Sequence, residues 1–266
     1  MSERASEPID WKKDSQSFDG VAELYETYRP SYPAELIDDI VNLSGIQADG
    51  EILEVGSGTG KATRLFAQRG FSMLCLEPGQ NLIDVAQKTL NVYLQIRFER
   101  SRFEDWEANR RKFDLLISAQ AFHWVPQEVR FIKAASVLKP QGHIALFWNM
   151  YPGMDGVIRQ ELDEIYRKHA PDLFKESFPL EKLIQERAAS LEMENEFEKV
   201  VVRTYPWVEQ YEMNAYLGLL NTYSDHLRLP EPRRQALFTA IADLIEQHSG
   251  RIEKPYLAVL YMARRK

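Results

Sequence analysis

The residues of this chain best suited to chemistry begin at Ile52-Leu53-Glu54-Val55, an apolar run that leads straight into Gly56-Ser57-Gly58-Thr59-Gly60. Glycines there permit positive φ and close approach of the backbone to a ligand. A glycine-rich turn ahead of a helix also presents free N–H groups to anionic atoms such as a carboxylate. Two phosphate-binding turns fit poorly. The dinucleotide fingerprint requires glycine at position 61, where Lys61 stands, and the P-loop requires glycine at position 55 and Ser or Thr at 62, where Val55 and Ala62 stand.

A second apolar run, residues 71–76, ends at Glu77, 21 residues beyond Gly56. In an open α/β sheet that position lies where the carboxyl ends of the strands meet the ligand crevice, and a carboxylate there accepts hydrogen bonds from ribose hydroxyls. A solvated loop acid is the plainer alternative. Glu54, late in an apolar strand, is costly to bury without a partner; a surface position is the alternative. His123 stands beside Phe122 and Trp124 at the end of a further apolar run, where its ordinary pKa near 6.5 suits a general base; packing beneath a cap is the alternative. His143, His169, His226 and His248 show no ligand spacing, so no metal is expected. Asp225 and His226 adjoin but form no recognisable catalytic pair, and Tyr211, Tyr216 and Tyr223 read as core packing.

Elements that would position these residues follow from periodicity. Short apolar runs at 51–55, 71–76, 96–99, 113–118 and 143–148 alternate with helical patterns at 61–68, 81–90 and around Val129 to Val137, the rhythm of parallel βαβ units. Asn81 reads as an N-cap. Lys139-Pro140-Gln141-Gly142 reads as a turn. Beyond Asn149 the pattern changes to charged amphipathic helices at 156–169 and 180–191, a β-branched run at 199–202, helical blocks at 208–220 and 231–248, and a closing strand at 256–262. The expected fold is α/β: a Rossmann-like, mostly parallel sheet with helices on both faces and a helical cap.

Composition narrows the functional class. With 44% hydrophobic residues over 266 positions, the chain can bury a sizeable core. Its net charge of -7 opposes a phosphate-backbone partner, which needs clustered Lys and Arg, so nucleic acid is not expected. Residues 1–13 are polar with no signal-like apolar run, and no stretch of about 18 apolar residues appears, so neither secretion nor a membrane span is expected. The lone cysteine, Cys75, reads as a buried strand thiol in a cytoplasmic protein. Nothing in the sequence sets an oligomeric state.

The phrase Leu53-Glu54-Val55-Gly56-Ser57-Gly58-Thr59-Gly60, with Glu77, resembles the class I S-adenosylmethionine (SAM)-dependent methyltransferases. The resemblance extends to Ser101-Arg102-Phe103-Glu104-Asp105-Trp106 and to Phe113-Asp114-Leu115-Leu116-Ile117-Ser118-Ala119-Gln120-Ala121-Phe122-His123-Trp124, and so covers about residues 51–149. Upstream, Tyr25-Glu26-Thr27-Tyr28-Arg29-Pro30-Ser31-Tyr32-Pro33 is similar to the N-terminal motif of a small-molecule subgroup that includes trans-aconitate methyltransferase-like enzymes; a proline-stiffened loop with aromatic packing is the alternative.

The resemblance implies seven strands with the last antiparallel, an N-terminal helical or lid segment over 1–50, a SAM-binding core over 51–150, and a helical cap plus the last two strands over 151–266. It puts Gly56, Ser57 and Gly58 beside the amino-acid moiety of SAM, with Glu54 and Gly60 supporting the turn. It puts Glu77 on the ribose, the Phe103 N–H at the adenine, and Pro78, Ala119 and Gln120 around the cofactor. Arg102 replaces the acid that many relatives carry before Phe103, leaving Glu104 as the substitute for the adenine amino group. Tyr25, Tyr28 and Arg29 approach the cofactor, Arg29 as partner for the methionyl carboxylate. Phe122, Trp124, Trp148 and Asn149 face the acceptor, and His123 is the candidate base. The implied reaction moves a methyl group to an oxygen, nitrogen or carbon nucleophile of a small molecule, leaving S-adenosylhomocysteine. A SAM-binding module without turnover, a nicotinamide-dependent oxidoreductase and a structural scaffold are the competing classes; the glycine spacing opposes the oxidoreductase.

Overall fold

A computed structural model describes residues 18–174 and 179–266; the polar stretch at 1–13 lies outside the described residues. Helices α1 (Ala22–Tyr28) and α2 (Ala34–Ser44) precede the first strand. There follow β1 (Glu51–Val55), α3 (Lys61–Ala67), β2 (Ser72–Glu77), α4 (Gln80–Thr89), β3 (Ile96–Arg100), β4 (Phe113–Ala119), α5 (Gln127–Val137) and β5 (Leu138–Met150). The second half adds α6 (Gly156–His169), α7 (Leu180–Glu192), β6 (Val201–Glu212), α8 (Met213–Leu220), the single turn α9 (Ser224–Leu227), α10 (Glu231–Gln247) and β7 (Arg251–Arg264).

All seven strands form one sheet in the order β3-β2-β1-β4-β5-β7-β6. Strands β1 to β5 pair in parallel, and β7 runs antiparallel to both β5 and β6. From β1 the chain first winds outward to β2 and β3, then returns to lay β4 on the other side of β1. That reversal opens a crevice at the carboxyl ends of β1 and β4, where open α/β sheets bind ligands.

Strand periodicity decides the two faces. Ile52, Cys75 and Ile117 join α2 and α3 in one core, with Ile37 and Phe66 fully buried. Leu53, Val55, Leu76 and Leu116 join α5 and α7 in the other, through Phe131 and Leu191. A third core gathers Leu162 of α6, Leu219 of α8 and Ile241 of α10 above the ends of β6 and β7. This last cluster is the cap; α7, expected in it, instead covers the sheet.

Three local readings change. Helix α4 begins at Gln80, with Gly79 as its N-cap residue and no side-chain cap of its own. Asp19 takes the capping role from a distance, its Oδ1 accepting the N–H groups of Asn81 and Leu82 at 2.7 and 3.2 Å. Residues 208–212 extend β6 rather than opening a helix, because β6 pairs with β7 through to Glu212↔Arg251; pairing overrides local helical pattern. Lys139 to Gly142 is absorbed into β5 as an irregularity, with Gln141 at φ +67°. No described helix is long and apolar enough to cross a membrane.

Candidate active site

The glycine turn is built by backbone geometry. Gly56 sits at φ +72°, and the N–H groups of Gly56 and Ser57 both donate to Leu76 O, tying the exit of β1 to the end of β2. A Cβ on Gly56 would stand 2.4 Å from Ala121 Cβ, so only glycine lets the turn pass the end of β4. Gly60, at φ +83°, is the residue from which α3 starts. At Gly58 an added Cβ would meet nothing nearer than Tyr25 Cε1 at 4.0 Å. That face opens into a cavity of about 280 Å3 bounded by Glu77, Pro78, Phe103, Gln120 and Trp124.

Two buried acids flank the turn. Glu77, 6% exposed, accepts Gly58 N–H on Oε2 and Gly79 N–H on Oε1, each at 2.9 Å. Burial pushes its carboxyl up to about 7 against the pull of those two donors. Glu54 is fully buried; Oε2 accepts Thr63 O–H at 2.5 Å, and Oε1 has no partner. Burial raises its carboxyl to about 7 as well. The buried Ser57 hydroxyl also lacks a partner. The Phe103 N–H is likewise unpaired among the described residues. Arg102 lies 3.9 Å from Glu104. These orphaned groups and the room left at Gly58 fit a cofactor with an amino-acid end, a ribose and an adenine.

The N-terminal segment is stapled over this turn by Glu26, a residue the sequence reading did not single out. Its carboxylate accepts Thr59 O–H at 2.7 Å and pairs with Arg64 at 2.8 Å, and its backbone oxygen accepts the Lys61 ammonium at 2.6 Å. Tyr25 and Arg29, on and just after the same helix, reach the cavity wall. Arg29 donates to the hydroxyl and carbonyl oxygens of Thr222, both at 2.8 Å, and its guanidinium lies 4.3 Å from the Tyr223 ring. Tyr28 does not approach the cavity. It packs flat on α8, where a Cβ on Gly218 would stand 2.4 Å from its ring.

At the end of β4, Gln120 adopts φ +60°, uncommon for a residue with a side chain. Its N–H donates to Phe147 O and its side-chain amide to Asn149 O. Asn149 in turn donates to Ser31 O and accepts from the Trp207 indole, so its amide ties three segments together. Phe122 is 2% exposed and packs on Phe103 and Phe131 instead of facing an acceptor. The short helical turn Phe122–Trp124 turns Phe122 into the core and leaves His123 and Trp124 at the cavity. Burial, helped by Arg187 and Arg130, pushes the His123 imidazole down to about 4. Its Nδ1 accepts the Trp148 indole N–H at 3.4 Å, and Arg187 lies over the Trp148 ring at 4.3 Å. A neutral ring held by a donor at Nδ1 carries its proton on Nε2, the arrangement of a hydrogen-bond donor rather than a base.

A second cavity, of about 810 Å3, shares Tyr25, Arg29, Gly56, Gly58, Gln120 and His123 with the first and extends beneath the cap. Here Tyr216 and Tyr223 line the cavity as well as packing, while Tyr211 bonds Tyr256 at 3.1 Å. Asp225 and His226, in which the sequence shows no recognisable catalytic pair, are hydrogen-bonded, with Asp225 Oδ1 and His226 Nδ1 2.8 Å apart. Lys254, 5% exposed, joins them. A lysine in an alternating strand near the chain end carries no sequence signal for this position.

The sheet order with its reversed β7, and the glycine turn and acid at the carboxyl edge, define a class I methyltransferase fold. Comparison with known proteins agrees: residues 52–142 match a family model described as a methyltransferase domain. An uncharacterised methyltransferase of Mycobacterium tuberculosis is 32% identical over 151 residues, a match that spans 57% of this chain and 59% of that one. An uncharacterised methyltransferase of Schizosaccharomyces pombe is 25% identical over 247 residues, spanning 89% and 92%. A SAM-dependent methyltransferase of Thiobacillus denitrificans, solved in complex with S-adenosylhomocysteine, shares the fold at a TM-score of 0.54 and 14% identity, covering 92% of this chain and 97% of that one. Residues 52–142 are a class I methyltransferase domain, and SAM is the cofactor of that class.

Proposed function

We propose that the chain transfers the methyl group of SAM to an oxygen, nitrogen or carbon nucleophile of a small molecule held in the larger cavity. One observation carries this reading: two cavities, one framed by the glycine turn and Glu77 and the other by the cap, meet at a common wall that includes Gly56, Gly58, Gln120 and His123. A volume of about 810 Å3 lies within the range of small-molecule sites. When bound, SAM supplies a methyl group already made electrophilic by its sulfonium. The chain's own contribution is then to align the nucleophile and exclude water.

On this reading Glu77 accepts the ribose hydroxyls, and Gly56, Ser57 and Gly58 face the amino-acid end, with Glu54 and Gly60 supporting the turn. The Phe103 N–H meets the adenine, with Pro78, Glu104, Ala119 and Gln120 around it. Tyr25 and Arg29 close the cofactor side together with Trp124, which the sequence reading set against the acceptor, and Trp148 and Asn149 frame the acceptor. The net charge of -7 opposes a nucleic-acid acceptor. The Tyr25-to-Pro33 motif supports the small-molecule subgroup similar to trans-aconitate methyltransferase-like enzymes, and the lone buried thiol of Cys75 suits a reducing cytoplasm.

Calorimetric titration with SAM, S-adenosylhomocysteine and NAD, side by side, tests the reading. Binding of the first two and not of NAD is expected. Binding of NAD alone, or of none of the three, would overturn it in favour of an oxidoreductase or a scaffold.

A further inference from the structure

The larger cavity contains a hydrogen-bonded chain that the cofactor site does not use. Tyr166 Oη lies 2.8 Å from His226 Nε2, and His226 Nδ1 lies 2.8 Å from Asp225 Oδ1. The same carboxylate oxygen accepts the His226 backbone N–H at 2.8 Å, which fixes its direction. A carboxylate on Nδ1 keeps that nitrogen as N–H and makes Nε2 an acceptor. Tyr166 therefore donates to Nε2, and its oxygen retains lone pairs for a partner in the cavity. The rings are held on several sides: Tyr166 stands edge-on to the imidazole, and Tyr223 and Phe238 pack against it at 5.6 and 6.3 Å.

Lys254 holds its side-chain nitrogen 3.4 Å above the Tyr151 ring, and burial, with Arg29 nearby, lowers its amine to about 7. The other histidine of the cavity, His123, presents a donor. The Tyr166–His226 pair gives a protic acceptor a place in the cavity where a proton can leave it.

We propose that Tyr166, His226 and Asp225 form a proton relay that receives the O–H proton of a hydroxyl acceptor, a phenol or an alcohol, making Tyr166 and His226 catalytic residues and Asp225 a positioning residue. The inference rests on the methyltransferase reading above. The acceptor O–H bond breaks as its oxygen bonds the incoming methyl carbon, whose former bonding pair stays with sulfur. The proton goes to Tyr166 Oη, the proton of Tyr166 goes to His226 Nε2, and the resulting imidazolium is paired with Asp225. Positive charge leaves the sulfur and appears on the imidazole, so the step balances without a further reactant.

The relay can be read without turnover. Titratable and charged groups lining the cavity around it include Tyr151, Asp163 with its partner Arg159, Tyr216, Tyr223, Lys254, Tyr256 and Arg29; variants at the relay leave all of them in place. The probe is 4-nitrophenol, whose ionised form absorbs visible light, titrated into protein saturated with S-adenosylhomocysteine. Wild type, Tyr166→Phe and His226→Gln are compared, and calorimetry and a thermal melt are run on each. Bound probe should ionise about one pH unit below free probe, a tenfold gain in the ionised form. That shift should vanish in both variants, while S-adenosylhomocysteine affinity stays within about twofold of wild type, well under 1 kcal/mol. A shift that is absent in wild type or survives in both variants overturns the relay. So does a wild type that binds S-adenosylhomocysteine but not the probe, and in each of these cases the methyltransferase reading stands. Failure of wild type to bind S-adenosylhomocysteine overturns that reading and the relay with it.

Discussion

Glu77 Oε2 accepts the Gly58 N–H at 2.9 Å, so the acid that closes β2 holds the turn that closes β1. The second carboxylate oxygen holds Gly79 N–H in the same way. Glu77→Gln turns one of these acceptors into an NH2 group facing an N–H. An N–H left facing such a group without an acceptor costs about 1–3 kcal/mol, so SAM affinity should fall by about fivefold or more. Calorimetry checks this, and unchanged affinity would remove Glu77 from the ribose.

Stability should depend on pH through Glu54 and Glu77. Both carboxyls rise from 4.5 to about 7 on folding, mainly through burial. Between those values the unfolded chain loses protons that the folded chain keeps. Their contribution is therefore complete below about pH 4.5 and is lost as pH climbs through about 7. Each group accounts for a change of order 3 kcal/mol. Ligand-free protein should melt lower at pH 8 than at pH 6, and Glu54→Gln should shrink the difference; an unchanged difference would show that Glu54 does not hold its proton.

His123 should prove dispensable as a base. Its imidazole is neutral near pH 7, and Nδ1 is engaged by Trp148. A general base contributes about 10²–10⁴-fold. Once an acceptor is in hand, His123→Gln should cost less than about tenfold in kcat and leave the acidic limb of the pH–rate profile in place. A loss beyond 100-fold together with that limb would restore the base assignment.

Removing Glu26 should free the N-terminal helix from the glycine turn. Glu26→Ala strips Thr59 and Arg64 of their shared carboxylate, with an expected cost of about 1–3 kcal/mol. Hydrogen exchange across residues 22–28 should quicken and SAM binding weaken; unchanged exchange would mean that α1 is held by its aromatic contacts alone.

Gly218 tests whether the cap and the N-terminal segment are one packed unit. A Cβ there meets the Tyr28 ring at 2.4 Å, and overpacking costs typically about 1–3 kcal/mol. Gly218→Ala should lower the melting temperature, and Tyr28→Leu in the same chain should recover part of the loss.

Much of the Rossmann-like half was legible in order. Strands β1, β2, β3 and β4 lie within two residues of the expected runs, because period-two alternation and glycine punctuation are local. The end of β6 was not legible: residues 208–212 become strand by pairing with β7, some forty positions away. Helix α7 could not be assigned to the sheet rather than the cap from its own pattern, because an apolar stripe does not say which surface it will cover.

For the site, the sequence by itself determined what needs only neighbours along the chain: a strand entering a glycine turn, an acid at the end of the next strand, and the His123 segment at the end of β4. Tertiary structure alone decided which side chains meet across long separations. Glu26 reaches Thr59, Arg29 reaches Thr222, Asp19 caps α4, and Tyr166 finds His226, 60 residues on. It also withdrew Phe122 and Tyr28 from the cavity and lowered the basicity of His123. The reason is physical: backbone conformation follows from local sterics and hydrogen bonding, whereas burial, which sets proton affinity and contact, is a property of the assembled chain.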